Sequence, residues 1–306
     1  MIIETNYFGN FEQADNPEVT LIPVPYEYTT SFIKGTKNGP QAILNASTQL
    51  EKFDDELLVD ISKIGINTTG FINCEFVNNK SKHPFNEVEQ AIRDVIIGGS
   101  LPVLIGGESS ITYGAIKVLN DLFPEISILH FSSRCNLKSS HLENDFSHQC
   151  TFKRISELTP ELKVVHAGIR SISEQEAEWL EENTPNTELY FAKDKNRWNV
   201  VDIISNLTKN VYISFEFNSL DSSILPSTAM AEPGGFNWEQ ITDILKNVCT
   251  FKEVIGMDFT GFSPQANSHA FDFSAAKLIY KTIGYSFARE LGVFEEEEVN
   301  LVSNES

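Results

Sequence analysis

The sequence predicts an α/β protein with a parallel sheet covered by helices on both faces. Short apolar runs rich in Val, Ile and Leu recur about eight times, and stretches with helical spacing separate most of them. The runs are apolar throughout rather than alternating, as in strands buried on both faces. No proline-rich or glycine-serine linker and no internal repeat interrupts them. The 306 residues therefore read as one domain, 1–306, with an ordered core of about 19–292.

The strand candidates in order are Val19–Val24, Ile61–Ile66, Leu101–Ile105, Ile126–Phe131, Leu162–Ala167, Glu188–Phe191, Val211–Phe217 and Val254–Phe259. A helix is expected after Asn38, where Pro40 falls in the first turn. Pro84–Ile97 places apolar residues at 85, 88, 91, 92, 95 and 96, one face of a 3.6-residue period. Ser110–Leu122 opens on serines suited to capping, and Gly106-Gly107 before it suits a strand-to-helix turn. Ser173 and Glu176 stand at capping-box spacing before an acidic first turn. Asn237–Val248 and Phe271–Leu291 complete the helices. Val77–His83 reads as an exposed loop, and the acidic tail from Phe294 to Ser306 as a fraying end.

Composition excludes several function classes. A net charge of −20 argues against nucleic acid and against an anionic membrane surface. No apolar run approaches the roughly 20 residues of a membrane span, and the N-terminus lacks the basic and apolar regions of a signal peptide. Cys74, Cys135, Cys150 and Cys249 are widely spaced without a C-x-x-C, so a reducing, cytoplasmic setting is expected.

Three polar strings mark the candidate site: Gly106-Gly-Glu-Ser-Ser110, His130-Phe-Ser-Ser-Arg-Cys-Asn136 and Ser214-Phe-Glu-Phe-Asn-Ser-Leu-Asp221. Each lies at or near the end of an apolar run, where parallel α/β proteins build sites. His130, Cys135, His141, His148 and Cys150 lack the ligand spacing of structural zinc. A serine nucleophile would need a G-x-S-x-G turn, which is absent. Gly35–Gly39 lacks Walker spacing.

Further strings complete an ordered series: Pro23-Val-Pro-Tyr-Glu-Tyr-Thr-Thr-Ser31, Gly35-Thr-Lys-Asn-Gly-Pro40, Ser147-His148, Gly168-Ile-Arg-Ser171, Glu232-Pro-Gly-Gly235 and Asp258-Phe-Thr-Gly-Phe-Ser-Pro264. The series resembles the ureohydrolase superfamily of arginases, agmatinases and formimidoylglutamases over roughly residues 19–290, agmatinases most. The resemblance implies a three-layer α/β/α fold around an eight-stranded parallel sheet, an oligomer, and hydrolysis of guanidino or amidino groups with two bridged manganese ions. It also implies that Gly35–Gly39 forms the pocket rim.

The resemblance places the six metal-ligand positions at Ser109, Ser132, Arg134, Asn136, Glu216 and Asn218, and all depart from the family pattern. Serine and asparagine are weak ligands, and arginine stays protonated without an acceptor. Arg134 is available to pair with Glu216 or Asp221, and Gln240 falls where the family often has a substrate-binding glutamate. His148 matches the family's Ser-His-Gly histidine, with Gln149 in place of the glycine. The expectation is a catalytically inactive family member with no cofactor, acting as a binding, regulatory or oligomer subunit. Its partner would be a second copy or an active paralogue. Two alternatives stand beside it: an agmatinase-type amidinohydrolase with an altered metal site, and a small-molecule sensor that captures a carboxylate on Arg134.

Overall fold

The computed structural model describes residues 5–9, 11–74, 83–182 and 186–293. The expected loop at 77–83 lies outside them except for His83, and the acidic tail from 294 lies wholly outside. Eight strands form one parallel sheet: β1 (Val19–Val24), β4 (Ile66–Thr68), β5 (Leu101–Gly106), β6 (Ile126–Phe131), β7 (Lys163–Ile169), β8 (Thr187–Phe191), β9 (Asn210–Glu216) and β10 (Glu253–Thr260). Their spatial order is β4-β1-β5-β10-β9-β6-β7-β8, and every pairing is parallel. A small antiparallel hairpin, β2 (Phe53–Asp54) and β3 (Val59–Asp60), stands apart from the sheet.

Among the described residues, eight helices cover the sheet: α1 (Gly39–Ser47), α2 (Phe85–Ile97), α3 (Thr112–Leu122), α4 (Thr151–Leu158), α5 (Glu174–Glu182), α6 (Val200–Ser205), α7 (Trp238–Phe251) and α8 (Ala270–Ser286). Strand alternation sorts the core into two layers. Leu129 and Phe131 of β6 face α1, α6, α7 and α8, while Ile126 and Ile128 face α2, α3, α4 and α5. This is the expected three-layer architecture. Among the described residues, no helix is long and apolar enough to cross a membrane.

The structure corrects the expected elements locally. Ile61–Ile64 is a 3₁₀ turn, with Asp60 accepting from the Ser62 amide, and the strand begins only at Ile66. Apolar residues in a tight turn and in a buried strand look alike when the run is this short. The expected serine cap also fails. Ser109–Ile111 is a 3₁₀ turn, Ser110 Oγ donates to Glu108 at 2.7 Å, and neither serine caps α3. The cap expected at α5 forms, Ser173 with Glu176, and the structure adds a capping box of Asn237 with Gln240 at α7. Gly107 is required at its turn, because a Cβ there would lie 2.0 Å from the Tyr26 carbonyl oxygen.

The β2–β3 hairpin is fastened to α8 by buried charge. Lys281 Nζ lies 3.0 and 3.2 Å from the two Asp54 carboxylate oxygens and 3.0 Å from Glu56. Tyr285 donates to Glu56 at 2.7 Å. Asp54 is fully buried, and removing one partner of such a pair leaves an uncompensated charge. Lys281→Met should lower unfolding free energy by about 3–5 kcal/mol in urea denaturation. A loss below about 1 kcal/mol, the range of exposed pairs, would show that the clasp is not structural.

Candidate active site

The C-terminal ends of β5, β6 and β9 meet at one edge of the sheet. Glu216, the last residue of β9, is 5% exposed and accepts three side-chain hydrogen bonds. His130 Nε2 lies 3.1 Å from it, Asn218 Nδ2 donates at 3.1 Å, and Asn136 Nδ2 makes a short bond. Ser132 Oγ and the Ser133 amide donate to Asn218 Oδ1 at 3.1 and 3.0 Å, and Ser132 Oγ accepts from the Arg134 amide. Both asparagines thus turn their amide nitrogens toward the carboxylate. Burial pushes the Glu216 carboxyl up, but the hydrogen bond from His130 and the charges nearby more than offset this, holding it below its ordinary value. Burial pushes His130 below its own.

A second carboxylate closes the opposite wall. Glu108 accepts from the Tyr28 and Thr29 amides at 2.9 and 2.7 Å, and from the Thr29 and Ser110 hydroxyls at 2.7 Å each. Thr29 spends its one proton on Glu108, so the 2.9 Å contact between Thr29 Oγ1 and His148 Nδ1 has the imidazole as donor. That fixes the neutral tautomer and leaves the His148 Nε2 lone pair for the pocket. Burial lowers the His148 pKa below 6.5, with the Glu108 charge opposing the shift.

Of the nine residues singled out from the sequence, six line one cavity of about 50 Å³: Ser109, Arg134, Asn136, His148, Glu216 and Asn218. Ser132 supports it from behind through Asn218. Gly35–Gly39 contributes Thr36 to its wall. Arg134 departs from expectation by facing Glu232, 3.7 Å away, rather than Glu216 or Asp221. Asp221 instead accepts from the Ser223 hydroxyl and the Gly234 and Gly235 amides. Those bonds, the Ser223 hydroxyl first, hold its carboxyl at about 2. Gln240 sits outside the cavity, spent on the α7 capping box and on Asn196.

Glu108, Thr29 and His130 carry more of the site than the sequence alone assigned to them. Arg170 does too, donating to the carbonyls of Gly168, Asn218, Leu220, Glu232 and Pro233. The Gly168-Ile-Arg-Ser171 string was the one available signal for it.

Residues 17–284 match the arginase family. The chain belongs to that family. It is 32% identical to an N(1)-aminopropylagmatine ureohydrolase of Thermus thermophilus over 280 residues, covering 90% of this chain and 93% of the relative. The agmatine ureohydrolase of Thermoplasma volcanium superposes with a TM-score of 0.81 at 21% identity, covering 94% of this chain and 97% of that one. A formiminoglutamase variant of Trypanosoma cruzi, described with Mn²⁺, gives 0.80 at 18% identity, covering 91% and 96%.

Arginase-family membership corrects two expectations. Relatives alike over nearly the whole chain are named as ureohydrolases, so the amidinohydrolase reading replaces that of an inactive subunit, and with it the sensor reading of Arg134. The expectation of no cofactor falls on the same ground, because the family points to manganese. The donors at the six positions nevertheless do not fit a manganese pair as they stand. Three donors already occupy Glu216, the amide nitrogens point inward, and Arg134 brings a cation. Among the described residues, no three His, Cys, Asp or Glu side chains converge on one point.

Behind this family site lies a group that the sequence did not assign. Asp258 on β10 is fully buried and accepts from Tyr212 Oη at 2.8 Å, Thr112 Oγ1 at 2.9 Å and Ser214 Oγ at 3.1 Å. Burial nonetheless pushes its carboxyl up to about 7. The folded protein therefore keeps a proton that the unfolded chain loses near pH 4, so this group's contribution to stability falls as pH rises from about 4 to 7. The slopes of wild type and Asp258→Asn should differ by about 1.4 kcal/mol per pH unit in that range. Equal slopes in denaturant titrations of both proteins would refute it.

Proposed function

We propose that this chain hydrolyses the guanidino group of a linear alkylamine, releasing urea. The observation that carries the reading is the near full-length likeness to a protein named N(1)-aminopropylagmatine ureohydrolase. Agmatine and its aminopropyl derivative are the substrate class it suggests. The balanced reaction adds water to the guanidinium carbon, breaks the bond from that carbon to the nitrogen that bears the alkyl chain, and yields urea and an alkylammonium.

The charges around the cavity support a cationic substrate. Glu108 and Glu216 line it, and Glu232 adjoins it against the single guanidinium of Arg134. Glu216 stays ionised at the cavity wall, and Glu232 Oε2 is buried without a hydrogen-bond partner among the described residues. His148, neutral and with Nε2 unprotonated, takes a proton from the attacking water and passes it to the departing nitrogen. The protein's strongly acidic surface favours encounter with polycations. Four free cysteines support a reducing, cytoplasmic setting.

Urea release from agmatine and aminopropylagmatine, assayed with manganese supplied, tests the reading. Release from either supports it, and none from both would refute it. His148→Ala should lower kcat/KM by about 10²-fold or more. The base must be neutral and its pKa is lowered, so the acid limb of the wild-type profile should lie below pH 6.5. A limb above pH 7 would exclude His148 as the base.

A further inference from the structure

Gln149 is 5% exposed and follows His148 in the 3₁₀ turn His148–Cys150 that leads into α4. Its side chain joins two residues of the loop after β6. Lys138 Nζ lies 2.7 Å from Gln149 Oε1, and His141 Nε2 lies 3.3 Å from Gln149 Nε2. The ammonium of Lys138 can only donate, so it fixes which end of the amide faces which partner. The amide nitrogen also only donates, so His141 accepts on Nε2 and carries its proton on Nδ1. A glycine at this place could make neither bond.

The backbone closes the same loop. The Lys138 amide donates to the Gln149 carbonyl at 3.0 Å, and His141 and Asn144 exchange amide-to-carbonyl bonds at 3.1 Å each. The His141 ring is thereby held beside His148. Their ring centroids lie 6.0 Å apart, and the planes are nearly perpendicular, at 84°.

His148 has need of such a neighbour. Thr29 Oγ1 holds its ring at Nδ1, 2.9 Å away, with Ser147 Oγ at a longer 3.5 Å. Both contacts act on one ring nitrogen. A hydrogen bond tolerates misalignment to about 120° before it weakens steeply. A reacting group must instead be held within roughly 10–20° of its working direction. A second ring packed against the imidazole narrows the swing of Nε2 that the Nδ1 contacts leave open.

We propose that Gln149 is a positioning residue for His148 and acts through His141. Its amide pins the His141 ring, and that ring keeps His148 Nε2 directed into the cavity. The work of His148 as a base rests on the hydrolase reading, whereas its restraint by His141 does not.

Two measurements test this together: urea release from agmatine or aminopropylagmatine with manganese supplied, and proton exchange at the His148 ring. In Gln149→Leu, kcat should fall about tenfold or more while KM stays within about twofold. Gln149→Glu should recover most of the loss, because a carboxylate still accepts from Lys138 and can accept from the other tautomer of His141. His141 is only half-buried, so His141→Ala should fold even if Gln149→Leu does not, and it should show the same loss. The double variant should lose no more than either single one, since the two residues act as one unit. The His148 Nδ1–H signal in nuclear magnetic resonance is identified by its absence in His148→Ala. It should exchange with water about tenfold faster or more in both single variants. An exchange rate that either variant leaves unchanged, or losses that multiply in the double variant, would overturn the proposal. So would an unchanged kcat in a protein that releases urea. Faster exchange in the variants without urea release from the wild type would keep the positioning role and remove the hydrolase reading.

Discussion

A carboxylate buried at the end of β9 imposes most of the order at this edge of the sheet. An unpaired charge there would be expensive, and Glu216 is compensated by donors from two directions. His130 reaches it from the adjacent strand β6, and Asn136 from the loop that follows β6. Asn218, two residues beyond Glu216, closes the ring and is itself fixed by Ser132 and the Ser133 amide. The loop after β6 thus takes its shape from the charge it must satisfy. Asn136 even adopts a φ of +54°, a conformation that asparagine tolerates better than most side chains.

The same region is tied together by backbone acceptors and donors. Arg170 gathers carbonyls from the end of β7, from the turn after β9 and from the Glu232-Pro233 segment. Asp221 takes the amides of Gly234 and Gly235 on the neighbouring turn. A guanidinium with five donors and a carboxylate with about four acceptor sites are suited to these opposite tasks. Their effect on the site is indirect, because they locate the segments that carry Asn218 and Glu232.

Much of the fold was legible because parallel strands buried on both faces leave uninterrupted apolar runs. Seven of the eight expected runs coincide with strands, and the eighth fails at Ile61–Ile64, where a turn and a strand share one apolar pattern. The β2–β3 hairpin was invisible, since Phe53-Asp54 and Val59-Asp60 are too short to show a period. Residues of the three strand-end strings line one cavity. Partners were harder to foresee, because Arg134 could reach any of several carboxylates and only the packed loops select Glu232. Gln240 was misplaced for a related reason: counting along the chain finds a position, while a capping box decides where its side chain goes. The expectation of an inactive subunit rested on six positions that depart from the family pattern, and a relative alike over nearly the whole chain and named as a ureohydrolase overturns it.

The two carboxylates of the pocket are prepared for different work. Glu108 is saturated by four donors and has no site left for a substrate, so its effect passes through Thr29 to the tautomer of His148. Glu216 faces the cavity and is held below its ordinary value by the bond from His130. A hydrolase acting on a guanidinium needs both states at once, a neutral base with a free lone pair and an anion that holds the cation in place. Exchanging the two environments would forfeit both, since an unsaturated Glu108 would not fix Thr29 and a saturated Glu216 could not meet the substrate. On the proposed reading, the asymmetry of donors carries the division of roles, and at Glu216 it is built from Asn136 and Asn218, which themselves stand at two of the six departing positions.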